Sequence, residues 1–176
     1  MTRRTSLSLT VTALLALAST RPLAAAQRLV DVRQVATDTL HDVAVATYER
    51  GRPVIYYNPT LLQRVGPELA DFFLAHEYGH IAYGHAGGAL SEPRDDWSAL
   101  RQKQELEADC YATQVLADEN RPAVEAALQF FGRMGPFRFD NLHPSGAQRA
   151  AKILACLPGT NRNADADRRE PSRVSQ

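Results

Sequence analysis

The 176-residue sequence has only two cysteines, Cys110 and Cys156, one tryptophan and two methionines, and no excess charge of either sign, with 20 basic residues against 20 acidic. A balanced chain does not steer polyanions, which removes nucleic acid from the set of partners. No apolar run reaches the ~20 residues needed to cross a bilayer. The nearest approach, Leu7 to Ala18, is interrupted by Ser8, Thr10 and Thr12. No internal repeat is present. Hydrophobic content of 44% with 23% charged residues excludes collagen-like and disordered chains and fits one globular domain, for which the length suffices.

The first 26 residues have the layout of a secretory signal. Arg3 and Arg4 precede the apolar run, and small residues end at Ala24-Ala25-Ala26. Cleavage before Gln27 is expected, with an uncleaved anchor as the runner-up. The mature chain would then keep 17 basic residues against 20 acidic, because Arg3, Arg4 and Arg21 leave with the leader. A periplasmic or secreted protein follows, with no stable membrane insertion after signal removal. In such an oxidising compartment Cys110 and Cys156 either pair or stay as two small buried side chains, and the sequence leaves both open.

From residue 28 to 58 the residues favour strands: Leu29, Val30, Val32 and Val35, then Val43, Val45, Thr47 and Tyr48, then Val54 to Tyr57. Glu49-Arg50-Gly51-Arg52 reads as a hairpin turn. Asn58-Pro59 ends the third strand, and Pro67 suits the first turn of a helix running to about His85, stopped by Gly87-Gly88. An acidic loop over residues 89 to 96 could wall a cleft. Helices are expected from about Ser98 to Asp118, Pro122 to Met134 and Ser145 to Leu157, with a disordered tail over 159–176. The resulting division is a leader at 1–26, one domain at 27–158 and the tail.

Chemistry concentrates at His76-Glu77-Tyr78-Gly79-His80, an HExxH sequence. Two histidines four apart on a helix project from one face, so both rings can converge on one metal ion. Glu77 sits beside them, placed to work on a metal-bound water as a general base without being a ligand. By chance the three fixed residues would occur in roughly one chain of this length in a few hundred. The surrounding Leu69, Phe72, Phe73, Leu74 and Ile81 mark a buried central helix rather than a solvated one.

A catalytic zinc usually takes three protein ligands and leaves one position for water. Glu105 and Asp109 are four apart and share a helix face, whereas Glu107 points roughly 200° away from Glu105. Glu105 is therefore assigned as third ligand to a single Zn2+ and Asp109 as the acceptor that orients a ligating ring. The competing account is a charged, solvated face. A metzincin site would need glycine at 83 and histidine at 86, and the chain has Tyr83 and Ala86. His85, about 180° from His76 on a continuous helix, is expected to cap the helix or face solvent. His41 reads as a surface residue at a turn. His143, before Pro144, is either a surface histidine or a donor near the reacting carbonyl.

The set HExxH at 76–80, Glu105-Leu106-Glu107-Ala108-Asp109 (ExxAD) and His143-Pro144 before a short helix resembles the HtpX-like and CAAX-prenyl-endopeptidase-like gluzincin zinc peptidases over about residues 53 to 157. The resemblance implies zinc on His76, His80 and Glu105, Glu77 as base, Asp109 supporting a ligand and His143 near the site as a catalytic group. It also implies an α+β fold in which a short antiparallel sheet lends the cleft an edge strand, here Val54 to Tyr57, for pairing with an extended polypeptide substrate. The transmembrane helices of the membrane-embedded members are missing, so a compact secreted member is the better analogy.

The function expected is a zinc endopeptidase cutting extended or unfolded segments of exported proteins. The rival is a zinc-stapled, non-catalytic polypeptide-binding or chaperone-like domain. Glu77 speaks against it, because a structural site has no use for a base. The oligomeric state is not encoded legibly.

Overall fold

A computed structural model of the chain describes residues 32–87 and 97–159. The expected leader, nearly all of the expected tail, the acidic loop and the strand residues Leu29 and Val30 lie outside the described residues. Strands β1 (Arg33–Ala36), β2 (Ala44–Glu49) and β3 (Arg52–Tyr57) are followed by helices α1 (Pro59–Val65), α2 (Pro67–Ala82), α3 (Trp97–Glu119), α4 (Arg121–Met134) and α5 (Gly146–Cys156). A short 3-10 turn over His85–Gly87 follows α2. The class is α+β, as expected.

The sheet is mixed rather than purely antiparallel. Its order is β1-β3-β2, with β1 parallel and β2 antiparallel to β3. Glu49 pairs with Arg52 across a two-residue turn in which Arg50 (φ 51°) and Gly51 (φ 76°) are both left-handed. That is the turn whose twist matches a hairpin. The expected edge strand, Val54 to Tyr57, is therefore the central one. Among the described residues β1 and β2 are the edge strands, each with one side unpaired by another strand.

Asn58-Pro59 does more than end β3. The Asn58 side chain accepts the N–H of Leu61 at 3.1 Å and Pro59 takes the first helical position, so the pair starts α1, a helix not foreseen from sequence. Helix α2 stops at Ala82, earlier than expected, because Gly84 turns the chain with φ 72°. Ser145 caps α5 in a reciprocal capping box with Gln148.

Helix α2 is apolar around most of its surface because it is covered on two sides. Leu69 and Phe72 join Leu116 of α3, Phe131 of α4 and Ile153 of α5 in one core. Ile81 joins Ala44 and Ile55 of the sheet in a second. Both cores thus depend on α2, which fixes it as the element from which side chains can be aimed.

Cys110 of α3 and Cys156 of α5 are disulfide-bonded, with Cα atoms 5.4 Å apart and a sequence separation of 46. Closing a loop of that length contributes about 4 kcal/mol by restricting the unfolded chain. The double variant Cys110→Ala/Cys156→Ala should lose about that much stability in urea denaturation. The unreduced wild-type mass should be two protons below the reduced one, and equal masses would refute the bridge.

Candidate active site

Helices α2 and α3 cross closely at the middle of HExxH. A Cβ on Gly79 would meet the Ala108 Cα at 3.0 Å and its carbonyl oxygen at 3.1 Å, so glycine at one position and alanine at the other set the spacing. Through that contact Glu105 of α3, one turn before Ala108, reaches both histidines of α2. The His76 and His80 Nε2 atoms are 3.0 Å apart. Glu105 places Oε2 3.1 Å from His76 Nε2 and Oε1 3.3 Å from His80 Nε2. All three side chains are buried, and their ligand atoms lie close enough together to hold one metal ion.

The protons of the two rings follow from their outer partners. His76 Nδ1 lies 3.0 Å from Asp109 Oδ1, a carboxylate that is fully buried. His80 Nδ1 lies 3.2 Å from His85 Nδ1. With Nδ1–H donating outward on each ring, both Nε2 lone pairs face inward alongside the Glu105 carboxylate. Three acceptors at 3.0–3.3 Å repel one another unless positive charge sits among them. The donor set therefore fits a cation.

The site's demand for positive charge appears in its titrations. Burial works to lower the His76 pKa, but hydrogen bonds to Asp109 and Glu105 outweigh it and raise the ring to about 9. Burial alone would raise Glu105, yet His76 and His80 hold it well below the usual carboxylate range. His80 is lowered, chiefly by burial.

Asp109 does not act alone. Arg149 of α5 grips it with two hydrogen bonds, Nε to Oδ2 at 2.8 Å and Nη2 to Oδ1 at 2.6 Å. The Asp109 Oδ1 thus accepts from both Arg149 and His76, whose donors stand 3.3 Å apart. On its other side the guanidinium stacks 4.0 Å above the Phe131 ring. Burial works against the Asp109 charge, but Arg149 keeps its carboxyl low. Sequence reasoning missed Arg149. The available signal was an arginine in the inward stripe Gly146, Arg149, Ile153 of α5, where each of the three is buried.

Glu77 faces the same cavity, about 560 Å3 in volume, together with the triad, Arg149, His143 and β2 residues Ala44 to Ala46. Its Oε2 accepts the N–H of Ala46 at 2.6 Å, one of the outward amides of the unpaired side of β2. Although Glu77 opens onto the cavity, surrounding protein desolvates it and raises its carboxyl from the ordinary 4.5 to about 7. A carboxyl raised in the folded state binds its proton more tightly than in the unfolded chain. Its stabilising contribution is therefore present below 4.5 and lost as pH rises through 7.

His143 lines the cavity without joining the triad. Its Nδ1 lies 2.8 Å from Asp140 Oδ1, and Asp140 also accepts the backbone N–H groups of Leu142 and His143. His41 is exposed at the same cavity. His85 neither caps α2 nor faces solvent. Because the helix ends at Ala82 its helical-wheel angle does not apply, and the turn at Gly84 brings the ring back onto His80.

Residues 68–166, from the first turn of α2 through α3, α4 and α5, match the family model of Peptidase U49. This is more than half of the chain. The chain belongs to the Peptidase U49 family. Membership makes it a peptidase and its substrate a polypeptide. No curated protein and no solved structure matches it.

In this U49 peptidase, removing Arg149 would leave the Asp109 charge buried and half-paired. Arg149→Met should cost about 3–5 kcal/mol in urea denaturation. The double variant Arg149→Met/Asp109→Asn should cost less than the sum of the single changes. Additive losses would mean that the pair is not coupled.

Proposed function

We propose that this U49 peptidase is a zinc-dependent endopeptidase of gluzincin type that cuts extended segments of exported polypeptides. The observation that carries the proposal is a buried donor set of two imidazoles and a carboxylate sharing one cavity with a desolvated glutamate that belongs to neither ring's hydrogen bonds. His76, His80 and Glu105 would hold the ion, and such a set is common among catalytic zinc sites. When bound, zinc supplies a Lewis acid for the scissile carbonyl and for water.

The remaining chemistry falls to the chain. The Ala46 N–H fixes one oxygen of Glu77 and leaves Oε1 to take a proton from the attacking water. As the C–N bond breaks, Glu77 returns that proton to the leaving amine. His143 has its Nδ1–H committed to Asp140, so its Nε2 is the ring atom available to substrate. That atom donates to a developing oxyanion only when the ring is doubly protonated. The free edge of β2, on the cavity wall, suits main-chain pairing with an extended peptide. Leu61, Val65, Phe73 and Phe130 give the cavity an apolar side.

The order HExxH, ExxAD and His-Pro supports the gluzincin grouping. The signal-like first 26 residues support export to a periplasmic or extracellular compartment. The use of Glu77 as a base distinguishes this reading from a zinc-stapled binding domain, which would need no such group.

Glu77→Gln should retain zinc stoichiometry and abolish cleavage of an unfolded protein such as casein. It should also melt at the same or a higher temperature than wild type at pH 8, because it relieves a desolvated charge. Retained hydrolysis would refute the assignment. Since only ionised Glu77 can accept a proton, kcat/KM should rise with pH along an acidic limb at or below about 7, the bound cation moving it downward. A limb well above 8 would contradict this.

A further inference from the structure

The two rings of the donor set are not supported alike. Behind His76 stands the permanently charged Asp109–Arg149 pair, sealed in the interior. Behind His80 stands a neutral-capable imidazole. The His80 Nδ1 is 3.2 Å from His85 Nδ1, and His85 Nε2 is 3.3 Å from Glu107 Oε2. Lys103, largely exposed, lies 3.7 Å from the other Glu107 oxygen. The His85 side chain is only 8% exposed, held between His80 and the Tyr83 ring, whose centroids lie 5.4 and 5.6 Å from its own.

Two nitrogens 3.2 Å apart form a hydrogen bond only if one carries a proton and the other does not. If His80 uses Nε2 for the metal, its proton must be on Nδ1, and His85 must present a bare Nδ1. The only proton of a neutral His85 is then on Nε2, where Glu107 accepts it. Every donor in the row has an acceptor, and the direction of each bond is set by the one before it.

We propose that His85 and Glu107 are positioning residues for the metal centre: the Glu107 carboxylate selects the Nε2–H tautomer of His85, which in turn fixes the ring and tautomer of His80. This rests on the reading of His76, His80 and Glu105 as ligands. It also gives Glu107 a purpose, although its position places it away from Glu105 on the face of α3. The row runs from the buried donor set to the protein surface, so His80 is the ligand whose support is open to solvent.

Zinc affinity, measured by competition with a chromogenic chelator, and long-range 1H–15N NMR of the zinc-loaded protein test the proposal without reference to activity. His85→Ala should weaken zinc binding about 10- to 100-fold. His85→Asn, which restores an acceptor near the position of Nδ1, should recover part of that loss, and Glu107→Ala should show a smaller weakening. The spectra should place the His80 proton on Nδ1 and the His85 proton on Nε2. Wild-type affinity in His85→Ala, or a proton on His85 Nδ1, would overturn the proposal. Should wild type itself bind no zinc, the ligand assignment fails and the proposal with it, whereas tight wild-type binding unaffected by position 85 defeats the proposal alone.

Discussion

Helix α2 lies against α3 as closely as it does because Gly79 presents no side chain to Ala108. Every other part of the site is built on that contact. A carboxylate has a short reach, and Glu105 touches both histidine rings only if the two helix axes are held near one another at this crossing. The same approach brings Asp109 under His76. One turn separates Glu105 from Asp109, just as one turn separates His76 from His80, so two helices with matched spacing meet in register.

Holding these groups together has a cost that the fold meets in several ways. Asp109, Glu105, Arg149 and both histidines are removed from water, and each isolated charge would be strongly unfavourable there. Arg149 neutralises Asp109, Phe131 covers the guanidinium, and a disulfide beginning at the residue after Asp109 fastens α3 to the helix that carries Arg149. The apolar core of α2, α3, α4 and α5 surrounds this polar seam. Glu77 has only the nearby His76 ring and a single backbone N–H to offset its burial, which leaves its carboxyl raised and able to exchange a proton near neutrality.

Much of the secondary structure was legible because its signals are local. Strand residues clustered between turn residues, proline marked helix starts, and Ser145 stood where a cap was needed. The errors arose where local signals carry two meanings. Asn58-Pro59 both stops a strand and starts a helix. The glycines at 87 and 88 looked like the end of α2, whereas Gly84 ended it, which turned His85 from a distant residue into a neighbour of His80. The edge strand was misassigned because pairing order is not written in any one strand: Val54 to Tyr57 has the residues of either an edge or a centre, and only the arrival of β1 on its far side decided the matter.

Which side chains share a face could be read from the chain unaided, because a helix repeats every 3.6 residues and that rule needs no partner. It placed His76 with His80, and Glu105 with Asp109, and pointed to peptidase chemistry. Packing had the final word on whether the two faces meet, on Arg149 closing over Asp109 from a helix 40 residues further along, on His85 turning back to His80, and on β2 bordering the cavity. Such contacts join residues far apart in the chain, and they form only when burial of the apolar faces of α2 brings them within reach.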